Sequence, residues 1–404
     1  MPGPLTQTRP AEPHADTKSR LAAAVEATRD EILDLSHRIH ANPEPAFEER
    51  QAAAWVAESL ARHGFDVEFP AGRLATAVRA RRRGGRAGGG DGPRIGILAE
   101  YDALPGLGHG CGHNTMAASG VGAAIALASI GDELPGEIVF LGTPAEERGS
   151  GKQWMIDDGL FAGLDAALLF HPCDRSHVES YPLASEDAEV VFHGLQAHAA
   201  SDPWKGKNAL DALILLFASV GLWRQQLRPD ARVHGIIQEG GTAANIIPER
   251  TKAWFMIRSP DQAYYDGMKA RFTALAEAAA LATDTTVEVV YSGGSMSMNR
   301  NRTLEARWVD NAAAYGIADQ GPDPNSGSTD MGNVSWVCPT IHPELSIADE
   351  GTPGHSIRFR DAAATPRADE TTLLAATLVA QTAYELFADP ALVEAAWQEF
   401  RAKS

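Results

Sequence analysis

Ile95-Gly96-Ile97-Leu98-Ala99, then Gly108-His109-Gly110-Cys111-Gly112-His113-Asn114, then the small-residue run Met116 to Ile130 decide the fold. A short apolar run bounded by turns reads as a buried strand. The glycine-rich segment after it permits the tight backbone turns that such a connection needs. Ala117, Ala118, Ser119, Gly120, Gly122, Ala123, Ala124 and Ala126 then predict a helix packed very closely on a sheet. Strand, glycine loop and helix make an α/β unit, and ligands of open α/β sheets gather at the carboxyl ends of the strands. Cys111 and His113 stand there. In an extended loop, residues two apart face the same side, so both can address one ion.

About thirty residues on, Ile138-Val139-Phe140-Leu141-Gly142 runs into Thr143-Pro144-Ala145-Glu146-Glu147. Two adjacent carboxylates at a buried strand end are costly without cations or hydrogen bonds to compensate them. Adjacent side chains diverge there, so one serves as metal ligand and the other as general base. His171 closes the next apolar run, Ala166 to Phe170. Thiol, imidazole and carboxylate ligands with a spare base are what metal-assisted hydrolysis needs.

Outward from this centre, Leu21 to His40 and Phe47 to His63 read as helices, and Phe65 to Phe69 and Thr76 to Ala80 as strands. After Ala184 the order becomes strand (187–192), helix (210–225), strand (232–238), strand (250–257), helix (264–281), strand (285–291). That is a ferredoxin-like module. Residues 370–387 form a long final helix. The expected architecture is α/β: a catalytic domain (1–184 and 295–404) with a mostly parallel central sheet flanked by helices, and an inserted ferredoxin-like α+β lid and dimerisation domain (185–294). Residues 1–16, rich in Pro, Thr and Ala, are expected to be disordered.

The chain has 404 residues, 44% apolar and 22% charged, with a net charge of −18. Such a charge disfavours nucleic acid and anionic membranes, both polyanions. The one dense basic stretch, Arg79 to Arg86, reads as a solvated loop or hairpin tip. Cys111, Cys173 and Cys338 are too few and irregular for a disulfide framework. With no signal-peptide pattern and no apolar run long enough to span a bilayer, the expected location is cytoplasmic.

Several strings, in order along nearly the whole chain, resemble the M20 metallopeptidase/amidohydrolase family. They are Glu100-Tyr101-Asp102-Ala103-Leu104-Pro105-Gly106 with GHGCGHN, Thr143 to Glu147, Gly194-Leu195-Gln196-Ala197-His198, Asn245-Ile246-Ile247-Pro248, Gly327-Ser328-Thr329-Asp330-Met331-Gly332 and Gly354-His355-Ser356. Pro43-Glu44 and Glu48-Glu49 extend the likeness toward the N-terminus. The branch it resembles contains p-aminobenzoyl-glutamate hydrolase subunits and M20-domain dipeptidase-like proteins.

The resemblance implies two divalent metal ions, zinc or manganese, with cobalt also possible, held by Cys111, His113, Glu147, His171 and His355. It implies Glu146 as the base that deprotonates the attacking water and Asp102 as the carboxylate that orients a ligand. It further implies a homodimer in which His198 reaches the partner's site to stabilise the oxyanion, and substrate binding by Asn245 and Arg258. Ser328 and Thr329 belong to a glycine-serine loop expected to contact substrate. The implied reaction is hydrolysis of the amide of a small N-acyl or N-aroyl amino acid, or of a dipeptide bearing a free carboxylate. A carbamoyl or ureido hydrolase and a catalytically silent assembly subunit are the alternatives. Glu100 departs from the many members with a metal-binding histidine at that position, and Cys111 takes up the ligand duty. Asn114 stands where hippurate-like and auxin-conjugate hydrolases usually carry aspartate. His109 is expected to hydrogen-bond within its loop, His342 to line the pocket, and Cys173 and Cys338 to be small buried residues.

Overall fold

Thr28 ends one helix and starts another where the sequence pattern predicts a single helix. Its hydroxyl donates to the carbonyls of Ala24 and Val25, and its φ of −108° leaves the helical region. A β-branched hydroxyl residue competes in this way with the main-chain ladder. The computed structural model describes residues 14–85, 92–322 and 327–403. Helix α1 (Ala15–Ala27) thus begins inside the tail expected to be disordered, of which residues 1–13 lie outside the described residues.

After α2 (Arg29–Ala41) and α3 (Arg50–Arg62) come β1 (Asp66–Glu68), β2 (Val78–Arg83), β3 (Arg94–Glu100), α4 (His113–Ser129), β4 (Glu137–Thr143), α5 (Gly151–Asp157), β5 (Ala166–Leu168) and β6 (His171–Cys173). The chain continues through β7 (Ala184–His193), α6 (Ala209–Trp223), β8 (Arg232–Glu239), β9 (Arg250–Ser259), α7 (Gln262–Ala282) and β10 (Thr286–Ser295). It ends with α8 (Arg302–Ala314), α9 (Met331–Val334), β11 (Thr340–Ile341), β12 (Glu344–Ser346), α10 (Ile357–Ala362), α11 (Pro366–Ala388) and α12 (Pro390–Arg401).

The larger sheet has the order β1-β2-β4-β3-β5-β11. Pairings β4–β3, β3–β5 and β5–β11 are parallel, while β1–β2 and β2–β4 are antiparallel. Ile95, Ile97 and Leu98 of β3 are buried, as fits a strand covered on both faces. Helix α4 runs across it so closely that a Cβ on Gly120 would meet the Leu98 carbonyl at 2.8 Å, and one on Gly122 would meet Ile32 of α2 at 2.7 Å. The small residues are therefore required on two sides. The basic run is not a free tip: Arg79 and Arg81 sit in β2 and pair with Glu68 and Asp66 of β1. Residues 86–91 lie outside the described residues.

The second sheet, β10-β7-β9-β8, is antiparallel throughout. Helices α6 and α7 pack on it through Leu213, Leu216, Phe255 and Phe272, in a cluster separate from the larger core. Burying each such side chain contributes about 1.5–3 kcal/mol. Asn208 and Asp261 cap the two helices by accepting main-chain N–H bonds. The chain then returns to the first core through Leu304, Trp308, Ile341, Leu378 and Phe387.

Candidate metal centre and active site

The GHGCGHN loop converges by a turn, not by the extended geometry expected of it. Gly112 takes a left-handed φ of 79°, and a Cβ there would lie 2.7 Å from Pro172 Cγ. Only glycine meets both conditions. The turn makes His113 the first residue of α4 and leaves Cys111 Sγ 3.4 Å from His171 Nε2.

His113 is fully buried, and its Nδ1 lies 3.0 Å from both the Asp102 main-chain oxygen and Asp102 Oδ1. A carbonyl oxygen only accepts, so Nδ1 carries a proton; against the lowering by burial, Cys111 and Asp102 hold the imidazole above its ordinary range, and Nε2 would present a lone pair once a cation displaced its proton. The other Asp102 oxygen accepts the main-chain N–H of Glu147 at 2.9 Å. One buried carboxylate therefore fixes the orientation of His113 and of the Glu147 backbone together. His355, at a left-handed φ of 54°, donates its N–H to the Gly110 carbonyl and places Nε2 3.3 Å from Glu147 Oε2.

Among the described residues, three sets of potential ligand atoms each lie within 4.8 Å of one another: Cys111, His113 and His171; Cys111, Glu147 and His355; Glu100, His113 and Glu146. Ligands bonded to one ion at about 2.0–2.3 Å are separated by up to about 4.6 Å, so small side-chain shifts would bring each set onto an ion. Cys111 belongs to the first two sets. Glu147 Oε1 is buried with no hydrogen-bond partner among the described residues, and His113 Nε2 and Glu100 Oε2, likewise without a hydrogen bond, face one another as a buried ion pair at 3.2 Å. Buried polar atoms of native proteins are normally satisfied. A cation at these positions would satisfy them, and the thiolate, imidazole and carboxylate set fits a divalent transition metal.

Electrostatics agree with this division. Burial, reinforced by Glu147, pushes the Cys111 thiol up, so its thiolate needs a cation beside it. Burial holds His171 below the ordinary imidazole range, which keeps it neutral and able to ligate. Burial, with Glu100 and Glu147 close by, lifts the Glu146 carboxyl well above the carboxylate range. A raised carboxyl suits a group that takes up a proton and gives it back.

A cavity of about 270 Å³ opens over these groups, lined among others by Cys111, Glu146, Glu147, His171, His355, Ser328 and Thr329. His342 lines it too, as expected, while Ser326 lies outside the described residues. Cys173 also lines the cavity and is only half-buried, unlike Cys338. All three cysteines are free thiols. His109 is buried and bonds the Ile39 carbonyl.

His198, Asn245 and Arg258 do not line this cavity. The first two are neighbours in the second module, where Ala199 N–H donates to the Asn245 carbonyl. His198 Nδ1 accepts the N–H groups of Ala200 and Ser201 at 3.2 Å each, which leaves Nε2 as a donor. The Arg258 guanidinium lies against Met256 Sδ.

The sequence reading missed Lys152. Its fully buried ammonium is 2.5 Å from Glu100 and 2.5 Å from Asp330. It missed Glu344 and Asp174 as well, two further acidic residues on the cavity wall. Nothing in the spacing of these residues marks them, because Lys152 meets Asp330 across 178 positions and β12 meets β6 only by pairing.

Residues 96–377 match the family model described as peptidase family M20/M25/M40. The chain belongs to that family. It is 36% identical to the mouse Xaa-Arg dipeptidase over 99% of this chain and 97% of the mouse protein. It is 30% identical to one of the subunits of p-aminobenzoyl-glutamate hydrolase from Escherichia coli, over 93% of each chain. A solved Bacillus subtilis dinuclear metal-binding M20 peptidase shares the fold with a TM-score of 0.70 at 21% identity, covering 90% of this chain and 99% of that one. A putative aminohydrolase from methicillin-resistant Staphylococcus aureus does so with a TM-score of 0.79 at 19% identity, covering 92% and 100%. This M20 chain is therefore a hydrolase of the peptidase and amidohydrolase type. Among its described residues no helix is long and apolar enough to cross a membrane.

Proposed function

We propose that this M20 hydrolase cleaves the amide bond of dipeptides or of small N-acyl or N-aroyl amino acids at a dinuclear metal site. The observation that carries the reading is Cys111, shared by two sets of ligand atoms beside Glu146 at one cavity. His113 and His171 would hold one ion and Glu147 and His355 the other, and Cys111 belongs to both sets of donors. Zinc, manganese or cobalt suit these donors. Bound there, such ions polarise the scissile carbonyl and make water acidic enough to ionise near neutral pH.

Glu146 takes the proton from the attacking water on a carboxylate oxygen and passes it to the leaving nitrogen. Asp102 keeps His113 in the tautomer that presents Nε2. Ser328 and Thr329 line the path of the substrate. The proposed domains are 1–184 with 295–404 for catalysis and 185–294 for closure and dimerisation, in a cytoplasmic protein. Ile214 and Leu222 on α6, with Ile236 and Ile237 on the edge strand β8, are exposed apolar side chains that support a homodimer. From that position His198 donates through Nε2 to the oxyanion in the partner's site, and Asn245 with Arg258 binds the substrate carboxylate.

Asp174 and Glu344 belong to none of the ligand sets, and no Lys or Arg lines the cavity among the described residues. That charge balance favours an amino-acid part bearing a cation, as in the name of the Xaa-Arg dipeptidase relatives. The test is a panel of dipeptides and N-aroyl amino acids with Arg, Lys, norleucine and Glu at the carboxyl end, assayed with zinc, manganese and cobalt. Hydrolysis led by Arg and Lys supports the reading. Preference for Glu removes the cationic preference, carbon dioxide and ammonia released with the amine indicate a ureido hydrolase, and silence across the panel removes the function.

A further inference from the structure

Ala145 immediately precedes Glu146, and its φ of 60° lies in the left-handed region. Residues other than glycine rarely adopt that region, and they persist there only where the surroundings hold them. The holder here is Glu49, which is fully buried. Glu49 Oε1 accepts the N–H of Ala145 at 2.8 Å and the N–H of Phe47 at 2.9 Å. Phe47 is itself left-handed, with a φ of 66°. The other carboxylate oxygen accepts the Thr76 hydroxyl at 2.8 Å. A single oxygen thus ties together two strained residues from segments almost a hundred positions apart.

Phe47 carries the restraint across the loop that follows Glu147. Its ring packs on Trp154 of α5, and a Cβ on Gly149 would come within 2.6 Å of it. Glu49 does not line the cavity and belongs to no set of ligand atoms. Anything it does for the reaction passes through Ala145.

We propose that Glu49 is the positioning residue of the Glu146-Glu147 pair, its carboxylate fixing the left-handed turn at Ala145 that aims both side chains into the site. The proposal rests on the reading of Glu146 as the proton carrier. What Ala145 needs is an acceptor oxygen at the right reach. Glutamine keeps that oxygen, and its NH2 group can donate to Thr76. Aspartate is one methylene short, and alanine offers no acceptor.

The test is steady-state kinetics on the metal-loaded enzyme, with hydrogen exchange of the peptide spanning Ala145 read in parallel. For Glu49→Ala, kcat falls about 10²-fold, the scale of a misplaced catalytic group, while KM stays within about threefold. Glu49→Gln returns kcat to within about fivefold of wild type, and Ala145→Gly in the Glu49→Ala background recovers about tenfold, because glycine takes positive φ unaided. Exchange at the Ala145 amide rises in Glu49→Ala and stays slow in Glu49→Gln. If Glu49→Ala does not fold, Glu49→Asp gives the same loss of kcat and of protection. Unchanged kcat in the folded Ala or Asp variant, damage in Glu49→Gln equal to that in alanine, or unchanged exchange overturns the proposal. A wild-type chain inactive on every substrate overturns the functional reading instead, and the exchange measurement still decides whether Glu49 holds Ala145.

Discussion

The buried ammonium of Lys152 stands 2.5 Å from Glu100 and joins the end of β3 to the loop that carries Thr329 and Asp330. One cation compensates two carboxylates unequally. Burial alone would raise Glu100, but Lys152 and His113 hold its carboxyl low, whereas Asp330 is pushed up because its burial outweighs the same ammonium. Lys152→Met strands both acids, and removing one partner of a buried ion pair costs about 3–5 kcal/mol. Urea denaturation of the two proteins measures it. A loss below about 1 kcal/mol would show that water reaches the pair, since exposed pairs are worth that little.

Glu146→Gln should lower kcat by about 10²–10⁴-fold, the usual contribution of a positioned acid–base group. Metal content by elemental analysis should stay at the wild-type value, because the proposed ligand is Glu147. Retained turnover would remove Glu146 as the proton carrier.

Metal stoichiometry should separate the ligands. Cys111→Ala removes the residue common to two sets and should deplete both ions after dialysis, whereas His171→Ala should deplete one. If Cys111 ligates as proposed, metal binding should also release its proton, which a pH-stat titration of the apoprotein would record. Equal depletion in the two variants would place the shared ligand elsewhere.

Glu49 makes stability depend on pH in a defined window. Burial raises its carboxyl from the ordinary 4.5 to about 7, so the fold favours the protonated form. That contribution is complete below pH 4.5 and is lost as the pH rises through 7. Relative to Glu49→Gln, the wild-type unfolding free energy should fall by about 3 kcal/mol across the window. A proton on Oε2 leaves Oε1 free to accept both main-chain N–H groups, so the turn at Ala145 survives in either state. Parallel pH profiles of stability for the two proteins would contradict the assignment.

Complementation tests whether His198 works across the dimer. Mixing His198→Ala and Glu146→Gln chains, each nearly inactive, should restore about a quarter of wild-type activity once the protomers have exchanged. Half of the dimers are then mixed, and each holds one complete site. No recovery in a verified mixed dimer would place His198 outside the partner's site.

Much of this protein is determined by local sequence. The apolar run at β3, the glycine loop and the small residues of α4 name a strand, a turn and a helix, because each depends on neighbours a few residues away. The adjacent Glu146 and Glu147 announce a charged strand end for the same reason. Even local pattern has limits. The Cys111–His113 segment, extended by its pattern, is a turn because Pro172 and a left-handed Gly112 make it one. The single helix expected through Thr28 is two, because the threonine hydroxyl breaks the ladder.

Tertiary structure decided what depends on residues distant in the chain. Cys111 meets His171 across sixty positions, Lys152 meets Asp330 across 178, and Glu49 reaches Ala145 across 96. Hydrogen bonds and charges act over a few ångströms of space, and no periodicity along the chain encodes which buried acid will face which buried base. The sequence alone named the chemistry; the packing of β3, β4, β6 and the loop at Asp330 decided which atoms share it.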